Sequence, residues 1–322
     1  MNETSSKFVD NFAKNRILND KMSKVSHSPE NSYFVENDKP FEAFNQYKPD
    51  LSNIRRKKEE DGSCCFSFAS FFSTEHYKEN GFIRLYHYPA KDTIGNILLV
   101  HGLYDESLPN YAYLIKLLNE LKLDVFFMVL PYHFDRKPEE SLFSGEYFLS
   151  ADIFRSQNAY IQSVYDIHGS LEFVKNFNAL PTLLVGFSMG GNISFRYFLL
   201  GRPMGLFLIN PVTELSRLIL DNPLTVLIKR DLDKFGYDEE FYKRIFKDID
   251  PCNNLDANYD AESIAIAYSV YDQIIEEEKY KKFIDTVCLK SVNSYNAGHL
   301  NMLRVPRLSR DIYDFFIKKA LK

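Results

Sequence analysis

The chain has 322 residues, 45% of them hydrophobic, and a mild formal charge of −5, so it can bury a sizeable core as one large α/β domain with an extension or as two small domains. No basic patch suited to a nucleic-acid backbone is evident, and the spacing of the four cysteines matches no zinc site. The polar N-terminus lacks a secretory signal and no apolar stretch reaches about 18 residues, so we expect a cytoplasmic protein with no membrane span and mostly unpaired thiols.

Residues 1 to about 60 differ in composition from the rest of the chain. They are rich in Asn, Ser, Lys and Glu, and only a short helix near Ser5 or Ser6, carrying Phe8 and Phe12, is indicated. The segment that follows has turn formers and scattered aromatic residues without a period. We therefore predict a partly irregular N-terminal arm that docks through its aromatic side chains.

From residue 61 onwards, apolar segments of strand length are separated by helical ones. Two early segments, CFSFASFF and GFIRLYHYP, predict a pair of strands. Strands and helices then alternate through NILLVHG, YAYLIKLLNELK, DVFFMVLP, a long helix over 153–177, TLLVGFS, MGGNISFRYFLLG, GLFLIN, SIAIAYSV, TVCLKSV and a last helix from His299 to Leu321. This alternation predicts a mostly parallel sheet with helices on both faces and with ligands bound at the carboxyl edge of the strands.

One segment interrupts the alternation. Residues 212 to about 260 lie between two predicted strands and are too long for a simple crossover. They contain LSRLILDNPLTVLIKRDLDKF and DEEFYKRIFKDI, which read as helices broken at a proline. We predict an inserted helical cap within a domain that spans residues 61–322.

A serine stands between two glycines where a predicted strand meets a predicted helix, in the segment Gly186-Phe187-Ser188-Met189-Gly190. In this context a G-x-S-x-G pattern is typical of a sharp turn that projects a nucleophilic hydroxyl. The N–H of Met189 and the helix dipole would face an oxyanion that develops there. We predict that Ser188 is a nucleophile; the alternative is a chance pattern in a glycine-containing turn.

A serine hydroxyl needs a base, and His299 is the best placed of the seven histidines. It follows the last predicted strand, and Gly298 before it lets the loop bend toward the strand edge; the alternative is a histidine that caps a surface helix. Asp272, just beyond a buried strand, is the predicted carboxylate that orients the imidazole. Glu214 and Asp285 are its rivals.

The loop after NILLVHG is expected to supply a second oxyanion donor. Gly102 permits a tight turn there, and the N–H of Leu103 would be the donor. We expect His101, at the end of the strand, to shape this loop by packing rather than to act as a base.

A long loop, residues 130 to 156, follows another strand at the same edge and is predicted to wall the substrate pocket. His133 and Arg136 are its candidate substrate-binding residues, and Arg136 is suited to a carboxylate or a phosphate. The favoured alternative is that Arg136 pairs with Glu146 or Asp135 and holds the loop.

Four segments, LLVHGLYD, LLVGFSMGGN, SVYDQII and NAGHL, resemble the landmarks of the α/β-hydrolase superfamily and occur in its order. The resemblance covers about residues 65–322 and implies an eight-stranded, mostly parallel sheet with a helical cap after the sixth strand. It also implies a triad and two oxyanion donors, namely Ser188, Asp272, His299, Leu103 and Met189. Where the acid loop of the superfamily usually carries a glycine, this chain has Ser269, and the 130–156 loop resembles a loop of some uncharacterised bacterial members.

These features predict a carboxylesterase-like serine hydrolase that cleaves a carboxylic ester, thioester or small amide through an acyl-enzyme, with no metal and no organic cofactor. An acyltransferase with the same triad is a variant of this prediction. A non-catalytic binding protein of the same fold is the alternative from another class. The expected partner is a small acyl substrate; neither its identity nor the oligomeric state follows from the sequence.

Overall fold

A computed structural model describes residues 2–72, 76–255 and 258–321 of the chain. Within these residues, nine strands form a single sheet. The strands are β1 (Arg55–Lys58), β2 (Cys64–Ala69), β3 (Phe82–Tyr88), β4 (Gly95–Val100), β5 (Leu123–Val129), β6 (Thr182–Phe187), β7 (Leu206–Ile209), β8 (Ile264–Ser269) and β9 (Ser291–Tyr295). The α-helices are α1 (Glu3–Arg16), α2 (Ala112–Glu120), α3 (Ile153–Asn178), α4 (Met189–Gly201), α5 (Leu215–Asp221), α6 (Val226–Lys234), α7 (Glu239–Phe246), α8 (Glu277–Thr286) and α9 (Pro306–Ala320).

The strand order across the sheet is β1-β2-β3-β5-β4-β6-β7-β8-β9. The first three pairings in this order are antiparallel and the other five are parallel, which confirms the predicted mostly parallel α/β architecture. The sheet has nine strands rather than eight, because β1 adds an edge strand inside the segment predicted as arm. All four of its residues are exposed and positively charged, so no apolar period reveals the strand. Such charges protect a sheet edge from pairing with other chains.

Each face of the sheet packs against its own layer of helices. Side chains of α2 and α9 join those of Phe127 and Phe207 on one face. Side chains of α3, α4 and α8 join those of Leu98 and Phe126 on the other. The central strands β4, β7 and β8 are therefore buried throughout, which explains why they read as continuous apolar runs in the sequence.

The loops that carry the candidate site leave the sheet at neighbouring points. In the sheet register, Val100 of β4 lies opposite Gly186 of β6, and Ser269 of β8 lies opposite Tyr295 of β9. Strand β7 pairs in parallel with both β6 and β8 and so links the two halves. Because parallel strands end at the same edge, the loops after β4, β6, β8 and β9 meet there.

Two boundaries near the C-terminus differ from the prediction. Strand β9 lies later than the predicted TVCLKSV segment, because the chain up to Thr286 forms α8, a helix that was not predicted. The final helix begins at Pro306 rather than at His299. Proline is favoured in the first turn of a helix, where its missing N–H has no partner to lose. His299 consequently lies in the loop before that helix.

The segment between β7 and β8 contains the helices α5, α6 and α7 in its described part. Pro223 separates the first two, as the sequence predicts. Asp238 caps the third by accepting a hydrogen bond from the N–H of Phe241, and α7 packs against α3 and α5. Residues 256 and 257 of the predicted cap lie outside the described residues.

The N-terminal arm begins with α1, which Asn2 caps by accepting a hydrogen bond from the N–H of Ser5. Short 3₁₀ turns follow, and aromatic rings then pack on α3. The rings of Phe44 and Tyr47 lie 5.3 and 5.2 Å from the ring of Tyr165. Of the helices in the described ranges, none combines the length and the apolar character needed to cross a bilayer.

Candidate active site

Ser188 forms the turn between β6 and α4, where its backbone takes φ 54° and ψ −117°. A positive φ is unfavourable for a residue with a side chain, and such strain is concentrated at functional turns. Close packing holds the turn, since a Cβ on Gly190 would collide with the backbone carbonyl of His101. The strand–turn–helix context that the G-x-S-x-G pattern predicts is thus present.

Ser188, His299 and Asp272 form a continuous chain of hydrogen bonds. The Nε2 of His299 lies 2.9 Å from the Oγ of Ser188, and its Nδ1 lies 2.7 Å from the Oδ2 of Asp272. An Nδ1–H that donates to the carboxylate leaves Nε2 as the acceptor for the serine hydroxyl. The serine, histidine and aspartate are only 8%, 3% and 7% exposed, so the chain is largely shielded from water.

The carboxylate of Asp272 is surrounded by donors. Its Oδ1 accepts hydrogen bonds from the N–H groups of Ile274 and Ile275, at 2.7 and 2.8 Å. The hydroxyl of Tyr280 donates to Oδ2 over 2.7 Å, beside the bond from His299. Hydrogen bonds to a charged acceptor are strong, so these contacts fix the orientation of the carboxylate. Sequence analysis missed Tyr280, because α8 was not predicted and nothing in its local sequence marks this tyrosine.

Opposing effects act on the pKa of His299. Burial lowers this pKa, but the charge and hydrogen bond of Asp272 raise it, and the carboxylates of Asp10 and Asp105 add to the rise. The net result is a pKa above the ordinary value of 6.5. The imidazole is therefore prepared to accept the proton that a serine nucleophile must give up.

The two rival carboxylates lie elsewhere. Glu214 is partly exposed at the start of α5, where it accepts a hydrogen bond from the hydroxyl of Ser216. Asp285 is exposed on α8. Of these three carboxylates, that of Asp272 lies within hydrogen-bond distance of the imidazole of His299, which favours it over both rivals.

Ser269, which stands where the superfamily usually has glycine, connects the acid loop to the histidine loop. Its hydroxyl donates to the carbonyl of Gly298 over 2.9 Å and accepts from the amide of Asn210 at 3.0 Å. The same amide donates to the carbonyl of His299 over 3.0 Å, and its oxygen accepts the N–H of Ser269 at 2.8 Å. Asn210 is fully buried at the end of β7, and sequence analysis did not single it out.

The two predicted oxyanion donors are the N–H groups of Leu103 and Met189. Met189 is the first residue of α4. Gly102, which precedes Leu103, packs closely against Ser188, since a Cβ on Gly102 would lie 3.2 Å from the Cβ of Ser188. The N–H of Gly102 is bound by Asp105 at 3.1 Å, which shapes the turn. Within the described part of the chain, neither candidate donor hydrogen-bonds to another residue.

His101, at the end of β4, has both ring nitrogens bound to the backbone. Its Nδ1 donates to the carbonyl of Gly102 over 2.7 Å, and its Nε2 accepts the N–H of Leu130 at 3.0 Å. Burial lowers its pKa well below the usual range, so the ring stays neutral. This is the loop-shaping role expected from the sequence.

His133 lies inside the protein rather than on a pocket wall. Its Nδ1 donates to the carbonyl of Pro131 over 2.8 Å, and its Nε2 accepts the N–H of Tyr104 at 3.3 Å. Burial lowers the pKa of His133 to about 3. Because both nitrogens are occupied by backbone groups, this placement argues against the predicted contact with substrate.

Arg136 is 0% exposed and is likewise committed to the protein. Its guanidinium donates to the Oδ2 of Asp166 over 2.8 Å and to two backbone carbonyls. The loop is thus held by an ion pair with α3, and the partner is neither Glu146 nor Asp135. Glu146 instead lies 3.0 Å from the ring of His27 in the arm. Because the guanidinium is buried and paired with Asp166, this placement does not support the predicted grip of Arg136 on a substrate anion.

No family model matches the sequence, and a search of curated proteins found no similar sequence. Solved structures, in contrast, match most of the chain. An acetyl xylan esterase from Paenibacillus sp. R4 is similar with a TM-score of 0.64 at 14% identity, over 90% of this chain and 98% of its own. The chain has the α/β-hydrolase fold. A soluble variant of monoglyceride lipase from Saccharomyces cerevisiae shares it with a TM-score of 0.52 at 17% identity, over 85% of this chain and 97% of its own. TT1662 from Thermus thermophilus shares it with a TM-score of 0.53 at 13% identity, over 83% and 98%.

Within this α/β-hydrolase fold, hydrogen bonds link the hydroxyl of Ser188, the imidazole of His299 and the carboxylate of Asp272. Across residues 2–72, 76–255 and 258–321, no group of three or more His, Cys, Asp or Glu side chains is arranged to hold a metal ion. The groups that are present match the requirements of acyl transfer through a nucleophilic serine.

Proposed function

We propose that the protein is a serine hydrolase that cleaves a carboxylic ester, thioester or small amide through an acyl-enzyme. The observation that carries this proposal is the hydrogen-bonded chain from Ser188 through His299 to Asp272. The acetyl xylan esterase and the monoglyceride lipase that share the fold are in keeping with ester chemistry. A binding protein without activity is less well supported, because it would have no use for a strained serine aligned with an imidazole.

In the proposed reaction, the Oγ of Ser188 attacks the carbonyl carbon of the substrate while the Nε2 of His299 accepts the hydroxyl proton. The carbonyl electrons move to the oxygen, and the N–H groups of Met189 and Leu103 stabilise this oxyanion. The tetrahedral species collapses, and His299 gives its proton to the departing alcohol, thiol or amine. Water repeats the sequence on the acyl-enzyme and releases the acid. If another alcohol replaces water, the same steps make the protein an acyltransferase.

The carboxylate of Asp272 would stabilise the imidazolium that forms in each half-reaction. Its own donors support this role, because the N–H groups of Ile274 and Ile275 and the hydroxyl of Tyr280 hydrogen-bond to the carboxylate and hold it in place. In a reaction of this type the proton stays on the imidazole and does not pass to the aspartate.

The organisation of the chain is part of the proposal. Residues 61–322 would form the catalytic domain, with residues 212–260 as its cap and residues 1–60 as an arm. The helices inserted between β7 and β8 support the cap. The four cysteines are unpaired, which supports a reducing, cytoplasmic setting.

Labelling with a fluorophosphonate probe tests the nucleophile. The wild type should form an adduct on Ser188 that mass spectrometry locates, and Ser188→Ala should form none. Ser194→Ala is the matched control, since this buried serine lies on α4, the helix that follows Ser188, and its hydroxyl has no hydrogen-bond partner among the described residues. A folded wild type that stays unlabelled and hydrolyses no p-nitrophenyl ester of any chain length would contradict the proposal.

A further inference from the structure

We infer that Asp10, on helix α1 of the N-terminal arm, is a positioning residue of the active site whose carboxylate holds the loop of His299 against the loop of Asp272. This inference rests on the proposed function, because the loops that Asp10 joins carry two members of the proposed triad. It assigns the arm a part in catalysis that the resemblance to other hydrolases does not suggest.

Three backbone N–H groups from two loops converge on this carboxylate. The Oδ2 of Asp10 accepts the N–H of His299 at 2.7 Å and the N–H of Gln273 at 3.2 Å. Its Oδ1 accepts the N–H of Leu300 at 3.1 Å. Gln273 directly follows Asp272, so one side chain fixes the backbone beside both the base and the acid of the proposed triad.

The arm approaches these loops very closely. A Cβ on Gly298 would lie 2.7 Å from the Oδ2 of Asp10 and 2.9 Å from the carbonyl of Ser6. Only glycine leaves room for α1 at this point, and Asp10 and Ser6 are both fully buried. The contact therefore depends on two residues: Gly298 leaves space for α1 beside the histidine loop, and Asp10 on α1 supplies the carboxylate that binds this loop.

Burial of a carboxylate raises the free energy of the folded state unless hydrogen bonds or an opposite charge compensate for the lost water. Burial raises the pKa of Asp10, and the charge of His299 and the backbone hydrogen bonds oppose this rise. Conversely, Asp10 is one of the groups that raise the pKa of His299. The carboxylate of Asp10, bound to the backbone of His299, would add to the stabilisation of the imidazolium that Asp272 provides through the ring Nδ1.

The arm also contacts two other loops at the carboxyl edge of the sheet. Lys21 forms an ion pair with Glu106, in the loop that follows β4 and carries the candidate oxyanion donor Leu103. His27 lies 3.0 Å from Glu146, in the 130–156 loop. Because Lys21 and His27 follow α1 in the chain, these contacts help to hold α1, and with it Asp10, against the loops of His299 and Asp272.

The charged and titratable groups that face His299 come from several elements, and each bears on a pH experiment. They are Asp272 in the acid loop, Asp10 on α1 and Asp105 after β4, with Tyr280 of α8 behind Asp272 and Tyr111 behind Asp105. Substitution of Asp10 alone removes one negative charge from this set and leaves the others in place.

Asp10→Asn and Glu3→Gln form a matched pair of variants on one helix. Glu3 is exposed and pairs with Lys7, whereas Asp10 is buried against the histidine loop. With p-nitrophenyl acetate, kcat/KM of Asp10→Asn should fall by up to about 100-fold, because small misplacements of a base are costly. The acid limb of its pH profile should move to lower pH, because loss of a negative charge lowers the pKa of His299. Glu3→Gln should change neither quantity.

The pH of the acid limb reports the pKa of His299 in the folded molecules and does not depend on the fraction of the variant that folds. Its displacement therefore distinguishes an effect of Asp10 on His299 from a loss of folded protein. An acid limb that stays at its wild-type pH in Asp10→Asn would overturn the inference. If Asp10→Asn does not fold, Gly298→Ala takes its place, because the added Cβ would push the carboxylate away and should move the limb in the same direction. A wild type without activity defeats the proposed function, and titration of the His299 ring protons by NMR then decides the inference by the same shift.

Discussion

The hydroxyl of Tyr280 donates a hydrogen bond of 2.7 Å to the same oxygen of Asp272 that accepts from His299. Helix α8 therefore helps to hold the side chain of Asp272, which also binds the ring of His299. The hydroxyl and the imidazole therefore share the negative charge of one carboxylate oxygen.

Tyr280→Phe should leave this carboxylate oxygen to His299 alone, which strengthens their hydrogen bond and raises the pKa of His299 further. The acid limb of kcat/KM should move to higher pH, opposite in direction to the shift expected for Asp10→Asn. Loss of a hydrogen bond to a charged group should also lower the free energy of unfolding by about 1.5–3 kcal/mol. Tyr268→Phe is the control, because this ring lies 5.4 Å from that of Tyr280 and its hydroxyl is not among the donors to the carboxylate of Asp272. Equal pH profiles for the two variants would contradict the prediction.

Asp272→Asn tests the identity of the acid. An amide in place of the carboxylate can hold the wrong imidazole tautomer, and kcat should fall about 10⁴-fold with the fold intact. Glu214→Gln and Asp285→Asn remove the two rival carboxylates and should leave kcat at the wild-type value. A large loss of kcat in either rival variant, with Asp272→Asn active, would reassign the acid. Single-turnover acylation rates and circular dichroism provide the measurements.

The pH dependence of stability follows from the raised pKa of His299. Its folded pKa lies above the unfolded value, so the stabilisation from its positive charge is fully present below the unfolded pKa of about 6.5. That stabilisation is lost as the pH rises through the folded pKa. The excess unfolding free energy of the wild type over His299→Gln should therefore shrink as the pH increases. Urea titrations across this range measure it; an excess that grows with pH would show the opposite linkage.

Asn210 and Ser269 are predicted to hold the acid and histidine loops together. Ser269→Ala removes the donor to the carbonyl of Gly298 and should cost about 1 kcal/mol of unfolding free energy. Asn210→Ala should cost more, because it removes three hydrogen bonds at once and because alanine fits the φ of 41° at this position poorly. Urea unfolding of both variants should preserve this order, and the reverse order would be inconsistent with the observed network.

Arg136 distinguishes a structural role in the 130–156 loop from substrate binding. Arg136→Met leaves Asp166 buried without its partner and should cost about 3–5 kcal/mol of stability. The KM of the folded fraction should not change, because the guanidinium does not face substrate. In the double variant Arg136→Met with Asp166→Leu, much of the stability should return, since no unpaired charge is left inside. A raised KM at unchanged stability would restore the role in substrate binding.

Local patterns in the sequence determined much of the fold. The apolar runs of β4 and β6 and the helix of α4 follow from which faces they bury, and the glycines around Ser188 indicate the turn between them. The same patterns predicted that His299 and Asp272 follow strands, although the start of the last helix and the position of β9 were wrong. These errors arose where polar residues and an unpredicted helix left no clear period.

Only the tertiary structure decided which distant side chains complete the site. Asp10 lies 289 positions before His299 in the chain, and no spacing rule connects a buried helix residue to a loop so far away. Tyr280 and Asn210 were missed, and Arg136 was given the wrong partners, for the same reason. Hydrophobic period is a property of one segment, whereas the partner of a buried polar group depends on how segments pack against each other. The sequence by itself therefore determined most of the helices and strands and the turn that carries Ser188, and packing decided which side chains surround that turn.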